Sequence, residues 1–443
     1  MPAILRERAL PPMAAGRHFS FGGGANNSHG KNFILIARLF VASVVIAGEL
    51  AGQNRQDLGD LISTTNPSSL AEPELRKLYL PVLPIVGYAP ANGFIIGAGV
   101  APAILLDSQR HTRLSHALAN AQLTSRQQVN FNLRHFVYLS HDRWIFQGDW
   151  RVLFFSQPTY GLGIREFAAA FSLNALPLRQ AANTDQQPMR FTYVRLYETA
   201  LRQLRGSWYG GIGVSADIHR DIEDELLDTD ASPPFLTSHY LYARTQGFSP
   251  MQYQTAGLHA RVVLDTRDNA INAYRGLLLD GTMRSNTTWL GSSSGSQQVN
   301  LEVRAYRRLG THNQILAGWL WGQFLVGGKM PYLALPSIGW DTYNRSGRGY
   351  IQGRFRGESL LYSEMEYRFT LSRNGVLGGV AFLNATTVNN ELAGDQLFHR
   401  FAMGYGGGLR LKVNQETRTN LCMDFGFGAN GSSGIYFGIQ EVF

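Results

Sequence analysis

Cysteine, lysine and long apolar helices are what this chain lacks. Cys422 is the single cysteine in 443 residues, so neither an internal disulfide nor a cysteine-built metal site can be assembled. Lysine occurs only at positions 31, 77, 329 and 412, so the net charge of +8 is carried by arginine. The arginines are scattered at alternate positions beside Asp or Glu, with no dense basic stripe and no interleaved aromatics. That pattern argues against nucleic-acid binding. Paired charges lining a lumen, with basic rims facing anionic lipid, account for it better.

Catalytic signatures are missing too. There is no Gly-x-Ser-x-Gly elbow, no HExxH zinc motif, no P-loop and no GxGxxG on a strand-to-helix turn. The serines of Gly291-Ser292-Ser293-Ser294-Gly295 lie in an expected surface loop, without the apolar strand an elbow needs. His135, His259 and Asp149 are scattered strand residues. The expectation is therefore no catalytic residue, no metal and no cofactor. A hydrolase assembled within a barrel would require a compact Ser/His/acid cluster at one rim.

One apolar run exists, Phe33 to Ala47, interrupted by Arg38, preceded by Lys31 and followed by the small residues Gly48, Ala51 and Gly52. It is too short for a comfortable spanning helix and has the order of an export signal. Residues 1–52 are read as a signal peptide with a long n-region, with Met13 as an alternative start. Leu50-Ala51-Gly52 resembles a lipoprotein processing site, but Gln53 stands where the lipidated cysteine belongs, so no lipid anchor is expected. Residues 53–78 read as a polar periplasmic linker. With no other long apolar span, a membrane location requires a closed barrel, since open strand edges cannot face lipid.

What the chain does have is glycine, 48 residues, aromatics at 12%, and persistent period-two alternation. In 358–370, Leu361, Met365, Tyr367 and Phe369 oppose Glu364, Glu366 and Arg368. In 400–412, Phe401, Met403, Tyr405, Leu409 and Leu411 oppose Gly404, Gly406, Gly408, Arg410 and Lys412. In 418–428, Leu421, Met423, Phe425 and Phe427 oppose Asn420, Cys422, Asp424 and Gly426. Such alternation marks strands with two different faces, and roughly ten residues suit a tilted membrane strand. About sixteen such segments run from 79–88 to 434–443. The third, sixth and thirteenth alternate poorly. The long connections, 157–188, 220–253 and 328–357, all follow odd-numbered segments, as extracellular loops should if the N-terminus is periplasmic. The fold class expected is all-β: a transmembrane antiparallel barrel occupying 79–443. A soluble β-protein with a misread signal is the remaining alternative.

Ser346-Gly347-Arg348-Gly349-Tyr350, followed by Glu366-Tyr367-Arg368-Phe369, resembles the bacterial surface antigen family, the barrels of BamA- and TamA-type proteins. Further likeness is carried by Pro84-Ile85-Val86-Gly87-Tyr88, Tyr160-Gly161-Leu162-Gly163, Asp265-Thr266-Arg267-Asp268-Asn269 and Gly404-Tyr405-Gly406-Gly407-Gly408-Leu409-Arg410. The resemblance runs from about residue 79 to 443. It implies a sixth extracellular loop folded into the lumen, latched by Arg348, Gly349 and Tyr350 on strands twelve and thirteen. Glu364 and Glu366 are the implied partners. Asn384 stands where the family has an acid. Arg354 and Arg356 are further candidate contacts. The ending Ile435 to Phe443, with Phe437, Ile439 and Phe443, resembles the assembly signal of such barrels, from which Glu441 departs. No POTRA domain fits between the signal and the first strand, so assembly activity is not carried over, and there is no patatin-like lipase domain.

The resemblance implies the outer membrane of a Gram-negative cell, with lipids including lipopolysaccharide as surroundings. The barrel assembly machinery would be the partner during insertion, an unidentified protein partner is open, and no nucleic acid is expected. Outer-membrane biogenesis or a surface function without catalysis is the expectation. A passive solute pore and a barrel hydrolase are the rivals.

Overall fold

The computed structural model describes residues 75–106, 113–139, 141–164, 186–232, 234–310, 314–415 and 418–443. The signal and almost all of the linker, read at 1–78, lie outside the described residues. Sixteen antiparallel strands form one closed sheet. They are β1 Val82–Ala89, β2 Gly93–Val100, β3 Ser115–Thr124, β4 Val129–Leu139, β5 Trp144–Thr159, β6 Gln187–Arg205, β7 Trp208–Asp224 and β8 Tyr253–Asp265. The second half comprises β9 Gly276–Asn286, β10 Ser296–Leu309, β11 Gln314–Gly328, β12 Ser359–Thr370, β13 Leu377–Val388, β14 Ala402–Asn414, β15 Thr419–Gly428 and β16 Ser433–Ile439. Each strand pairs with its sequence neighbours. Two short segments, Leu78–Tyr79 and Ala103–Ile104, pair with each other, and the latter also extends the ladder to β3.

The alternation sorts side chains to two faces of the sheet. Met365, Leu383 and Tyr405 are exposed on the outside, while Glu364, Glu366 and Asn384 are buried on the inside. No helix among the described residues is long and apolar enough to cross a membrane. The span is made by strands, which pair with one another around the sheet.

The connections partition as expected, with the longest at 160–186, 225–252 and 329–358, all after odd-numbered strands. The exception is 101–114 after β2. Two details differ from the sequence reading. The connection after β7 contains helix α1, Ser238–Gln246, capped by the Thr237 side chain at its start and by Gly247, left-handed at φ 81°, at its end. And the last strand stops at Ile439 instead of reaching Phe443. Gln440 has φ 75°, and the tail leaves the ladder so that Val442 and Phe443 pack beside Tyr306 and Trp319.

Closure is uneven. β5 and β6 align sixteen residue pairs and β15 and β16 align seven, whereas β16 meets β1 through one pair among the described residues, Phe437 with Tyr88. Pro84 in β1 cannot donate to a ladder, and β16 is only seven residues long.

Candidate functional site: the Arg348 lock

Residues 329–358 connect β11 to β12, the sixth connection at the long-loop end. Arg348 sits near its tip, 2% exposed. Its guanidinium meets three carboxylates. Nη2 donates to Glu364 Oε1 at 2.6 Å and also to Glu366, while Nη1 donates to Asp424 Oδ2 at 2.8 Å. The guanidinium lies over the Phe382 ring, 3.6 Å from its centroid. A planar cation with five donors is the side chain able to serve three acids at once.

Glu364 and Glu366, expected near Arg348, both accept from its guanidinium. Asn384 behaves differently from an acid substitute: its amide donates to the Arg348 carbonyl oxygen at 2.9 Å. It holds the loop backbone, not the guanidinium. The third acid is Asp424 on β15, which the sequence reading placed on an inward face without giving it a role.

The charges continue as a closed circuit. Asp424 accepts from Arg410 at 2.6 Å, Arg410 donates to Glu441 at 2.7 Å, Arg368 stands 3.9 Å from Glu441, and Arg368 donates to Glu366 at 2.7 Å. Three guanidiniums face four carboxylates (Glu364, Glu366, Asp424 and Glu441), leaving one formal negative charge. Tyr362 donates to Glu364 and Asn420 to Glu441. A buried carboxylate needs this much pairing to stay ionised. Glu441, the departure from an apolar ending, is thus the residue that ties the tail into the circuit. Arg368 also binds the Phe443 carbonyl at 2.9 Å. Of the other ending residues, Phe437 makes the seam pair and Ile439 is exposed.

Glu441 lies beyond β16. Burial alone would raise its carboxyl, but the charges of Arg410 and Arg368, with hydrogen bonds from Asn420 and Arg410, hold it well below the usual carboxylate range. A depressed pKa stabilises the fold above the unfolded value, about 4.3 for Glu, and that stability is lost as pH falls below it. Wild type should therefore out-melt Glu441→Gln at pH 7, and the gap should narrow as the buffer is taken from about pH 5 towards 2. Thermal melting in detergent reads this directly; a gap that does not change with pH would remove Glu441 from the circuit.

Gly349 and Tyr350 dock the same loop. Gly349 has φ +103°, and a Cβ there would lie 2.6 Å from the Phe427 carbonyl oxygen. Its N–H donates to the Tyr436 hydroxyl at 2.9 Å. The Tyr350 hydroxyl donates to the Met403 carbonyl and accepts from the Ala429 N–H. The seat is flat because Gly426 and Gly428 carry no side chain: a Cβ at either would strike Gly349 or the Tyr350 ring. The recurrent glycines on one face of β14 and β15 were the available sequence signal for this seat.

The rest of the segment is held from other strands. Arg151 of β5 donates to the Thr342 carbonyl at 2.8 Å and to Asn344 Oδ1 at 3.1 Å, and Arg134 of β4 also reaches Thr342. Arg345 donates to the Ile439 carbonyl at 2.9 Å, at the end of β16. Arg356 braces the segment itself, donating to the carbonyls of Tyr332, Leu333 and Leu335. Arg354 stacks on Tyr160.

The residues once considered for catalysis do not gather. His135 faces Glu198 on the outer surface, His259 bonds Thr199, and Asp149 bonds Arg151. One acid–His–hydroxyl chain does occur, Asp224–His239–Tyr253, with spacings of 2.8 and 3.2 Å. His239 and Tyr253 are buried, and the Tyr253 hydroxyl already accepts from the Leu333 N–H. The chain docks α1 and the 329–358 segment on β8. No group of His, Cys, Asp and Glu suited to a metal ion occurs among the described residues.

Comparison with known proteins agrees with this geometry. Residues 237–443, which carry the whole circuit, match the Omp85 superfamily domain. BamA from Haemophilus ducreyi lacking POTRA domains 1–3 superposes with a TM-score of 0.54 at 14% identity, covering 83% of this chain and 70% of that one. CdiB from Acinetobacter baumannii gives 0.48 at 12% identity, covering 83% and 65%. No curated protein matches in sequence. The likeness to BamA gives the barrel fold, and the match to the Omp85 superfamily domain covers residues 237–443, the part of the chain that holds Arg348.

Proposed function

We propose that this barrel serves outer-membrane biogenesis or a surface function without catalysis, and that its sixth loop is folded into the lumen and latched there by Arg348. The observation that carries this reading is the Arg348 guanidinium shared among Glu364, Glu366 and Asp424 from two strands. Support comes also from the breadth of the loop's contacts. Residues 342–356 touch β4, β5, β14, β15 and the end of β16, as a segment folded inward would. The weakest seam, between β16 and β1, adjoins the lock through Tyr436, Arg345 and the tail. On this reading the loop both narrows the lumen and steadies the strand at the seam. The surroundings are outer-membrane lipid, including lipopolysaccharide, and the barrel assembly machinery is the partner during insertion.

Single-channel conductance of the refolded protein in planar bilayers tests the reading. A small or flickering wild-type conductance should become large and steady in Arg348→Ala. A large conductance that the substitution leaves unchanged would favour a passive solute pore with no latch.

A further inference from the structure

The interior is not filled evenly. Beside the charged circuit lies a cavity of about 380 Å³ between β1–β4 and the 339–352 stretch of the loop. It reaches from Asn92, in the hairpin joining β1 to β2, to Gln440 beyond β16. Since β16 runs antiparallel to β1, these residues belong to opposite ends of the barrel. The cavity therefore extends along much of the wall.

Its chemistry is that of neutral amides. Asn120 and Gln122 of β3 and Asn130 and Asn132 of β4 form one wall, with Tyr343 and Asn344 opposite. Gln122 and Asn132 both donate to Asn120 Oδ1, at 3.0 and 3.1 Å. The charged groups at the margin are already engaged. Arg134 stands 3.6 Å from Asp149, Arg345 holds the Ile439 carbonyl, and Arg348 and Asp424 hold each other. Asn130 is 5% exposed, and its buried Oδ1 has no protein partner among the described residues. A buried carbonyl oxygen without a donor is unfavourable.

We propose that this cavity binds neutral, hydroxyl-rich molecules of the saccharide class. Each amide offers both donor and acceptor at no net charge, which matches hydroxyl groups that also do both. An anionic ligand would be drawn to Arg345 but would meet Asp424, and an ammonium would meet three arginines. The Tyr436 ring supplies an apolar face for the C–H side of a sugar ring. The volume falls within the range of small-molecule sites.

The test is isothermal titration of the whole folded protein, in a sugar-free detergent, with maltotriose. Saturable binding is expected, weakened at least tenfold in Asn130→Leu and in Asn132→Leu, with tri-galacturonate binding at least tenfold more weakly than maltotriose. Folding of each variant is checked by heat-modifiable mobility in gels, and Asn132→Leu serves alone if Asn130→Leu fails to fold. Absence of saturable heat in wild type, equal affinity in a folded variant, or tighter binding of the charged trisaccharide would overturn the proposal. Displacement by octyl glucoside far better than by glucose would assign the site to the headgroup of a glycolipid; equal displacement would assign it to free sugar.

Discussion

Arg348→Met is expected to destabilise the folded barrel by about 3–5 kcal/mol, the usual cost of removing one partner from a buried ionic cluster. The substitution keeps most of the volume and removes the charge. It leaves Glu364, Glu366 and Asp424 converging on a point with no cation, and the Phe382 ring without the guanidinium stacked on it. Arg348→Lys should fall between wild type and Arg348→Met, because an ammonium is a point charge and cannot reach three acids in fork geometry. Adding Asp424→Asn to Arg348→Met should restore part of the loss, since it removes one of the stranded charges; coupling between contacting residues is commonly about 0.5–3 kcal/mol. Urea unfolding followed by tryptophan fluorescence in detergent or lipid measures all four proteins. A loss below about 1 kcal/mol for Arg348→Met would mean a solvated loop charge of the kind exposed pairs provide, and the lock would be abandoned. The pairing with Asp424 matters here because it is what makes the site a clamp between β12 and β15, three strands apart.

How far the sequence could have led to this site depends on the kind of signal each part leaves. Outward faces read well because lipid imposes one requirement on all of them: Met365, Leu383 and Tyr405 had to be apolar wherever they sat. Strand limits followed within a few residues for the same reason. β13 alternated poorly because its inward face carries Phe382 beneath Arg348, so an apolar side chain stands where water or charge would have called for a polar one. β3 is blurred by alanines on its outer side and by Leu118, which looks into the cavity. Glu364 and Glu366 could be named because the family resemblance pointed to strand twelve and alternation put both on its inward face. Asp424 could not, since its approach to Arg348 depends on closure of the barrel, a contact 76 residues apart in the chain. Glu441 was misplaced for a related reason. Period two was carried through to Phe443, whereas Gln440 turns the tail inward, and a carboxylate so near the end is intelligible only once Arg410 and Arg368 are beside it. Helix α1 has no membrane to impose a pattern on it and packs through Tyr242 on Tyr332, so it left no periodic signature.

Gly349→Ala should cost considerably more than an ordinary glycine-to-alanine change, and the excess can be isolated. Two penalties act at Gly349. The backbone, at φ +103°, lies where residues with a Cβ are strained, at about 1–3 kcal/mol. The new methyl would also stand 2.6 Å from the Phe427 carbonyl oxygen and 2.8 Å from its carbon. Those atoms belong to β15, whose ladders with β14 and β16 prevent it from moving aside. Overpacking of this kind costs roughly another 1–3 kcal/mol. Gly375, in the turn between β12 and β13, supplies the control: its φ is +77°, and a Cβ there meets nothing within 4 Å. Gly375→Ala should therefore show backbone strain alone, and the difference between the two variants measures how tightly the loop is seated on the glycine face of β15. The functional consequence follows from the same geometry. If the loop lifts to relieve the clash, Arg348 is withdrawn from Asp424, and Gly349→Ala should raise bilayer conductance as expected for Arg348→Ala, while Gly375→Ala should not. Equal costs for the two substitutions, with conductance unchanged in both, would mean that the loop tip can shift by an ångström without loss, which a seat of this closeness does not permit.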